Sequence, residues 1–162
     1  MQNKYQLTII SGGQTGVDRA ALDAALELGV ACGGWCPAGR RAEDGVIPPR
    51  YPLNEMTGGD YSARTRQNVI DSDATLIVYF SELEGGTLQT VHFCQSEGRP
   101  CLLLDMSRLD AQEALYKLNE FIRQNDIHRL NVAGPRNSKQ PRAYTATRTL
   151  LRGLLVQEGI NG

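Results

Sequence analysis

Lysine is scarce in this chain: three stand against fourteen arginines, and the formal net charge is −1. Without a basic excess no field gathers nucleic acid or an acidic membrane nonspecifically, so neither is expected as a partner. No apolar run approaches the roughly 20 residues of a bilayer span. The opening MQNKYQ lacks the basic region and apolar core of a secretory signal. A cytoplasmic protein is therefore expected. Histidine is limited to the isolated His92 and His128. Of Cys32, Cys36, Cys94 and Cys101, only the first two stand close, at a C-x3-C spacing without a second pair. Zinc sites use tighter, paired ligands, so these cysteines read as ordinary reduced thiols and no structural metal is expected. Neither G-x-x-x-x-G-K-[ST] nor G-x-G-x-x-G occurs at the first glycine turn, which argues against an ATPase P-loop or a standard dinucleotide fold.

At 162 residues one domain is expected. Residues 5–10 read as a strand, and Val17 to Leu28 as a helix with a stripe of small apolar residues. Val30–Gly34, Ala74–Phe80, Cys101–Leu104 and His128–Ala133 suit further strands. Helical patterns fall at about Asp60–Asp71, Thr87–Glu97, 111–122 and 143–157. Strand and helix thus alternate five times, which implies a single α/β domain with a mostly parallel sheet of about five strands and helices on both faces. The expected strand order is 2-1-3-4-5. Residues 35–59 hold too many prolines and glycines for a long helix, but Trp35, Tyr51, Leu53 and Met56 give them anchors, so an ordered covering loop is expected there.

Glycine turns follow most strands: SGGQTG at 11–16, then CPAGRRAEDG, SELEGGT and AGPR. In a parallel sheet these lie on one edge, where open sheets bind ligands. A glycine turn feeding a helix offers free backbone N–H groups and a helix dipole, an anion site without charged side chains. Gly12, Gly13, Gln14, Thr15 and Gly16 form one candidate cradle for a phosphate; Gly85, Gly86 and Thr87 form the other. Arg40, Arg41 and Arg64 are candidate charge partners because the guanidinium fork matches phosphate, and Asn68 shares a helix face with Arg64. Thr15 and Asp18 also stand at the T-x-x-D spacing of a capping box. Glu43 and Asp44, preceded by Arg40 and Arg41, invite an acid/base reading, although a catalytic role needs a shifted pKa that sequence does not disclose.

SGGQTGVDRAALDAALELG, GGWCPAGRRAEDG, YPLNE, RTRQNVIDSDATLI, GGTLQT and NVAGPRNSKQP, in that order, resemble the putative molybdenum carrier family, similar to a circularly permuted branch of the LOG-like, lysine-decarboxylase-like Rossmannoid superfamily. The resemblance implies a three-layer α/β sandwich and a homo-oligomer, dimer or tetramer. It also implies a phosphorylated ligand, with molybdenum cofactor (molybdopterin) as the named cargo and molybdoenzymes or cofactor-synthesis proteins as partners. Phosphoribohydrolases of the superfamily use P-G-G-x-G-T-x-x-E. Here the corresponding run is Gly86-Thr87-Leu88-Gln89-Thr90, with threonine at the glutamate position; the resemblance to a permuted branch leaves Asp18 and Glu43 as candidates for a relocated catalytic acid. A non-catalytic binding protein is the leading expectation. A nucleoside-monophosphate phosphoribohydrolase and a nucleotide-sensing interaction domain stand beside it.

Overall fold

The structure is a computed structural model that describes residues 6–160. Its spine is a five-stranded parallel sheet formed by β1 (Thr8–Ile10), β2 (Cys32–Gly33), β7 (Ala74–Tyr79), β8 (Cys101–Asp105) and β9 (Arg129–Ala133). The chain also forms α1 (Val17–Glu27), α2 (Tyr61–Ile70), α3 (Gly85–Ser96), α4 (Ala111–Asn125) and α5 (Ala143–Ile160). Alternate residues of β7 face opposite ways. Ala74, Leu76 and Val78 join one core with α1, α4 and α5, while α2 and α3 cover the other face. Ala20, Ala21, Ala24 and Ala25 are fully buried and let α1 lie close to the sheet and to α5. Fold class and the parallel three-layer arrangement are as the sequence implies.

The strand order is not 2-1-3-4-5. It is β2-β1-β9-β7-β8, so the last strand enters the middle of the sheet and separates the first from the third of the expected strands. Thr8, Ile9 and Ile10 pair with Arg129, Leu130 and Asn131, and Ala74 to Ile77 pair with Leu130 to Ala133. The physical cause lies in burial on both faces: Leu130 and Val132 are fully buried, and Asn131 is 3% exposed. Such a strand needs neighbours and helices on every side. Asn131 reaches across to donate to Thr75 Oγ1 at 3.2 Å, satisfying a polar group that the position would otherwise strand. Counted from β9 as the first strand, the order reads 3-2-1-4-5, that of a doubly wound nucleotide-binding sheet. The chain simply starts one strand late. The reversal of strand order therefore falls between β9 and β7, not between β1 and β7.

Within residues 35–59 the chain forms β3 (Trp35–Cys36) parallel to β6 (Asn54–Glu55), and a small antiparallel hairpin of β4 (Arg41–Ala42) and β5 (Gly45–Val46). Cys36, Ile47, Tyr51 and Leu53 pack with Leu22 of α1 into a second core. Arg40 holds this segment from within: its guanidinium donates to the carbonyls of Ile47, Leu53, Pro48 and Tyr51 at 3.1, 3.3, 2.8 and 3.0 Å.

Candidate functional site

A cleft of about 640 Å³ opens at the carboxyl edge of the sheet where β9 and β7 part. That volume falls within the ~300–1,000 Å³ usual for small-molecule sites. One wall is the turn after β7 and the start of α3, from Phe80 through Gly85, Gly86 and Thr87. A second is the segment after β9, Gly134 to Arg136 with Lys139 and Gln140. Gln14, Asp18, Tyr61 and Arg64 close the third side.

The wall at α3 has the anion-binding geometry of a helix start. Helix α3 begins at Gly85, two residues earlier than the sequence pattern suggests, so both glycines lie in its first turn. No side chain caps it, and among the described residues the N–H groups of Gly85, Gly86 and Thr87 have no acceptor. Gly85 adopts φ 53, a left-handed conformation that favours glycine, and an added Cβ at either glycine would meet only open space. Just before them Ser81 is held at φ 74, and its N–H donates to Asp105 Oδ1 at 2.9 Å. A left-handed serine costs free energy, and Asp105 at the end of β8 supplies the compensating contact. Thr90, at the position of the phosphoribohydrolase glutamate, donates back to the Gly86 carbonyl at 2.8 Å.

The first glycine turn is arranged differently. A Cβ on Gly12 would lie 2.0 Å from Arg64 Nη1; on Gly13, 2.4 Å from Leu53 Cδ1; on Gly16, 2.4 Å from the Pro135 carbonyl oxygen. The room cleared by these glycines is taken up by a guanidinium, a leucine side chain and the backbone after β9. Of this turn, Gln14 reaches the cleft wall, and its Nε2 donates to the Arg41 carbonyl at 3.0 Å. Thr15 donates to Glu43 Oε2 at 2.8 Å and accepts from the Asn137 N–H at 3.1 Å. The expected capping box is absent: Gly16 is the N-cap of α1 and no side chain caps it. The Asp18 carboxylate instead accepts from the Gln14 N–H at 3.2 Å.

The remaining candidates divide between the cleft and other sites. Asn68 accepts from the Trp35 N–H at 2.8 Å and donates to the Trp35 carbonyl at 3.0 Å, pinning β3 to α2. Arg40 spends its guanidinium within the 35–59 segment, and Arg41 donates to the Ala38 carbonyl at 3.2 Å. Glu43 accepts from the Ser138 hydroxyl at 2.6 Å and N–H at 3.2 Å, and these bonds with Thr15 hold its carboxyl below the usual range. Neither those three residues nor any other of 35–59 lines the cleft. The sequence reading missed the contribution of Phe80, Gly134, Lys139 and Gln140. The AGPR turn was visible after its strand; the assumed strand order hid its place beside α3.

Asp18 and Arg64 form the electrostatic feature of the cleft. Arg64 Nη1 lies 3.8 Å from Asp18 Oδ2, with side chains 12% and 7% exposed. Among the described residues Arg64 Nε is buried without a hydrogen-bond partner. Burial pushes Asp18 up to about 6, and the nearby guanidinium offsets only part of that. A buried carboxyl group with a raised pKa thus lines the same cleft as the acceptor-less N–H groups of α3.

A permuted 3-2-1-4-5 sheet with a glycine-started helix at the switch point has a counterpart among known families. The model of the circularly permutated YpsA SLOG family matches residues 9–155. The chain belongs to that family. A solved relative in this fold is described as a putative molybdenum carrier protein from Syntrophus aciditrophicus SB, 47% identical over 91% of this chain and 94% of that one, with a TM-score of 0.90. No curated protein matches the chain. As a permuted YpsA SLOG domain it has no helix, among the described residues, that is long and apolar enough to cross a membrane. Nor do three or more His, Cys, Asp or Glu side chains there converge as metal ligands.

Proposed function

We propose that this chain is a carrier-type binding protein whose switch-point cleft holds a phosphorylated pterin or nucleotide-like ligand, with molybdenum cofactor as the proposed cargo, its relative being described as a putative molybdenum carrier protein. The observation that carries the reading is the row of acceptor-less N–H groups at Gly85, Gly86 and Thr87. A phosphate there gains three backbone donors, the Thr87 hydroxyl and the positive end of α3. Arg64 and Gln14 face it from another wall, and Lys139 and Arg136, the latter 3.8 Å from Glu43, add positive charge to the lining. Gly12, Gly13, Thr15 and Gly16 act behind the wall: they make room for Arg64 and seat the segment after β9. The lining offers N–H, hydroxyl, amide, guanidinium and carboxyl groups but no thiol or imidazole. These groups suit the phosphate, ring edge and oxo groups of the cargo, and the hold falls on them rather than on direct bonds to its metal. The cytoplasm is the proposed place of action, with hand-over to molybdoenzymes or cofactor-synthesis proteins.

Asp18 favours a second reading, an N-glycosidic phosphoribohydrolase, because a buried carboxyl raised to about 6 can donate a proton to a leaving base near neutral pH. Titration calorimetry with molybdopterin, nucleoside monophosphates and their dephosphorylated forms tests the first. Micromolar binding is expected for phosphorylated ligands and about a 10–100-fold loss without the phosphate, the worth of one or two charged hydrogen bonds. Absence of binding across that panel contradicts the carrier reading. Free base released from a monophosphate, and lost in Asp18→Asn, would establish the hydrolase instead.

A further inference from the structure

We infer that Cys94 and Cys101 form an oxidisable dithiol, which small hydroperoxides close to a disulfide and thiol reductants reopen. Both are free thiols in the structure, and the sheet register brings them together. Asn131 of β9, Thr75 of β7 and Cys101 of β8 are partners in one row across three adjacent strands. Thr75 points away from Ala74 and Leu76, to the face that α2 and α3 cover, and its partners in the row point with it. Cys94 of α3, 1% exposed, sits on that row. The Asn131 amide donates to Thr75 Oγ1 at 3.2 Å, which leaves the Thr75 hydroxyl hydrogen for Cys94. The Cys101 S–H donates to the same sulfur from the neighbouring strand.

Two donors converging on one buried sulfur favour its thiolate. The Cys101 bond is the larger influence and Thr75 adds to it, so Cys94 stays below the ordinary thiol range although burial works the other way. Cys101 gives its hydrogen to that sulfur and is raised. Cys32 and Cys36 stand closer in sequence, but burial raises both of those thiols. Cys101 is part-exposed on the edge strand β8 and is the sulfur that a dissolved oxidant meets first. Once its proton crosses to Cys94, the Cys101 thiolate attacks a peroxide oxygen. The O–O bond breaks, the departing oxyanion takes a proton from water, and Cys101 is left as a sulfenic acid. The Cys94 sulfur then attacks Cys101: the S–S bond forms, the S–O bond breaks, and hydroxide leaves as water with the proton Cys94 held. The two sulfurs lose two electrons and the peroxide gains them. A thiol reductant reverses the closure by exchange, becoming a disulfide itself. None of Thr75, Cys94, Cys101 and Asn131 lines the cleft, so the pair can be tested without any cleft ligand.

The test treats the reduced full chain with equimolar hydrogen peroxide, alkylates the remaining thiols and digests with trypsin. Cys94 and Cys101 stay on one peptide, residues 67–108, because trypsin spares the Arg99–Pro100 bond. That peptide should escape alkylation and weigh two hydrogens less than its reduced form, and dithiothreitol should restore it. Cys32 and Cys36 should both be alkylated. In Cys94→Ser, Cys101 should stop at the sulfenic acid and be captured by dimedone. In Cys101→Ser, the buried Cys94 should remain a thiol. A Cys32–Cys36 or intermolecular disulfide formed in preference, or full alkylation of residues 67–108, overturns the inference, and this result comes from the unsubstituted chain whether or not a serine variant folds. Dimedone capture at Cys94 in Cys101→Ser contradicts Cys101 as the first sulfur attacked.

Discussion

Asp18 is where single-residue chemistry is most exposed to test. Its folded-state pKa of about 6 lies above the ordinary 3.8, so between those values the folded chain holds a proton that the unfolded chain has released. Stability then falls as pH rises through that window and stays lower above it, by on the order of 3 kcal/mol at 1.36 kcal/mol per unit. Asp18→Asn keeps the shape and removes the buried charge. It should raise the unfolding free energy at pH 7.5, leave it little changed at pH 4, and flatten the slope between. Urea titrations at the two pH values measure this; an equal effect at both would show that Asp18 is not held against its charge. The same residue explains why sequence could not rank it. The D of TGVD read equally as a helix cap, and only burial beside Arg64 reveals the difference.

Among elements, the 35–59 segment is the least regular and the most dependent on one side chain. Arg40 adopts φ 53 and spends its guanidinium on four carbonyls of its own loop. Arg40→Ala removes the donor to the Ile47 and Leu53 carbonyls, while those of Pro48 and Tyr51 keep the N–H groups of Tyr51 and Leu53, and a loss of about 2–4 kcal/mol is expected. Arg40→Lys should not restore it, because an ammonium cannot reproduce the planar fork. Limited proteolysis should then cut within 41–55 before the sheet unfolds; unchanged resistance would contradict the assignment. That Tyr51 and Leu53 would pack was legible from sequence, since large apolar side chains amid prolines must pack somewhere. Where the loop packs was not legible. Its targets are Leu22 of α1 and Gly13 of the turn before that helix, contacts between residues far apart in the chain, and the cleft lies elsewhere.

At the scale of the whole molecule, alternating periodicity told the class of fold, because strand and helix patterns of 2.0 and 3.6 residues are local. Strand order is not local. Chain order suggested that β1 and β7 were neighbours, whereas β9, with Leu130 and Val132 buried, separates them. That one displacement moves the cleft from the expected place between two glycine turns to between α3 and the segment after β9. It leaves Gly85, Gly86 and Thr87 at the cleft and gives Gly12, Gly13 and Gly16 to packing. The family relationship fits this permutation, since a nucleotide-type sheet begun one strand late keeps its switch point while its chain termini move.

The most direct measurement is a ¹⁵N–¹H titration of the labelled protein with a phosphorylated pterin and, separately, with the same pterin lacking phosphate. The phosphorylated compound should move the amide signals of Gly85, Gly86 and Thr87 furthest, and the dephosphorylated one should leave them in place. Largest shifts at Gly12 to Gly16, or identical shifts with and without phosphate, would contradict an anion seated on the first turn of α3.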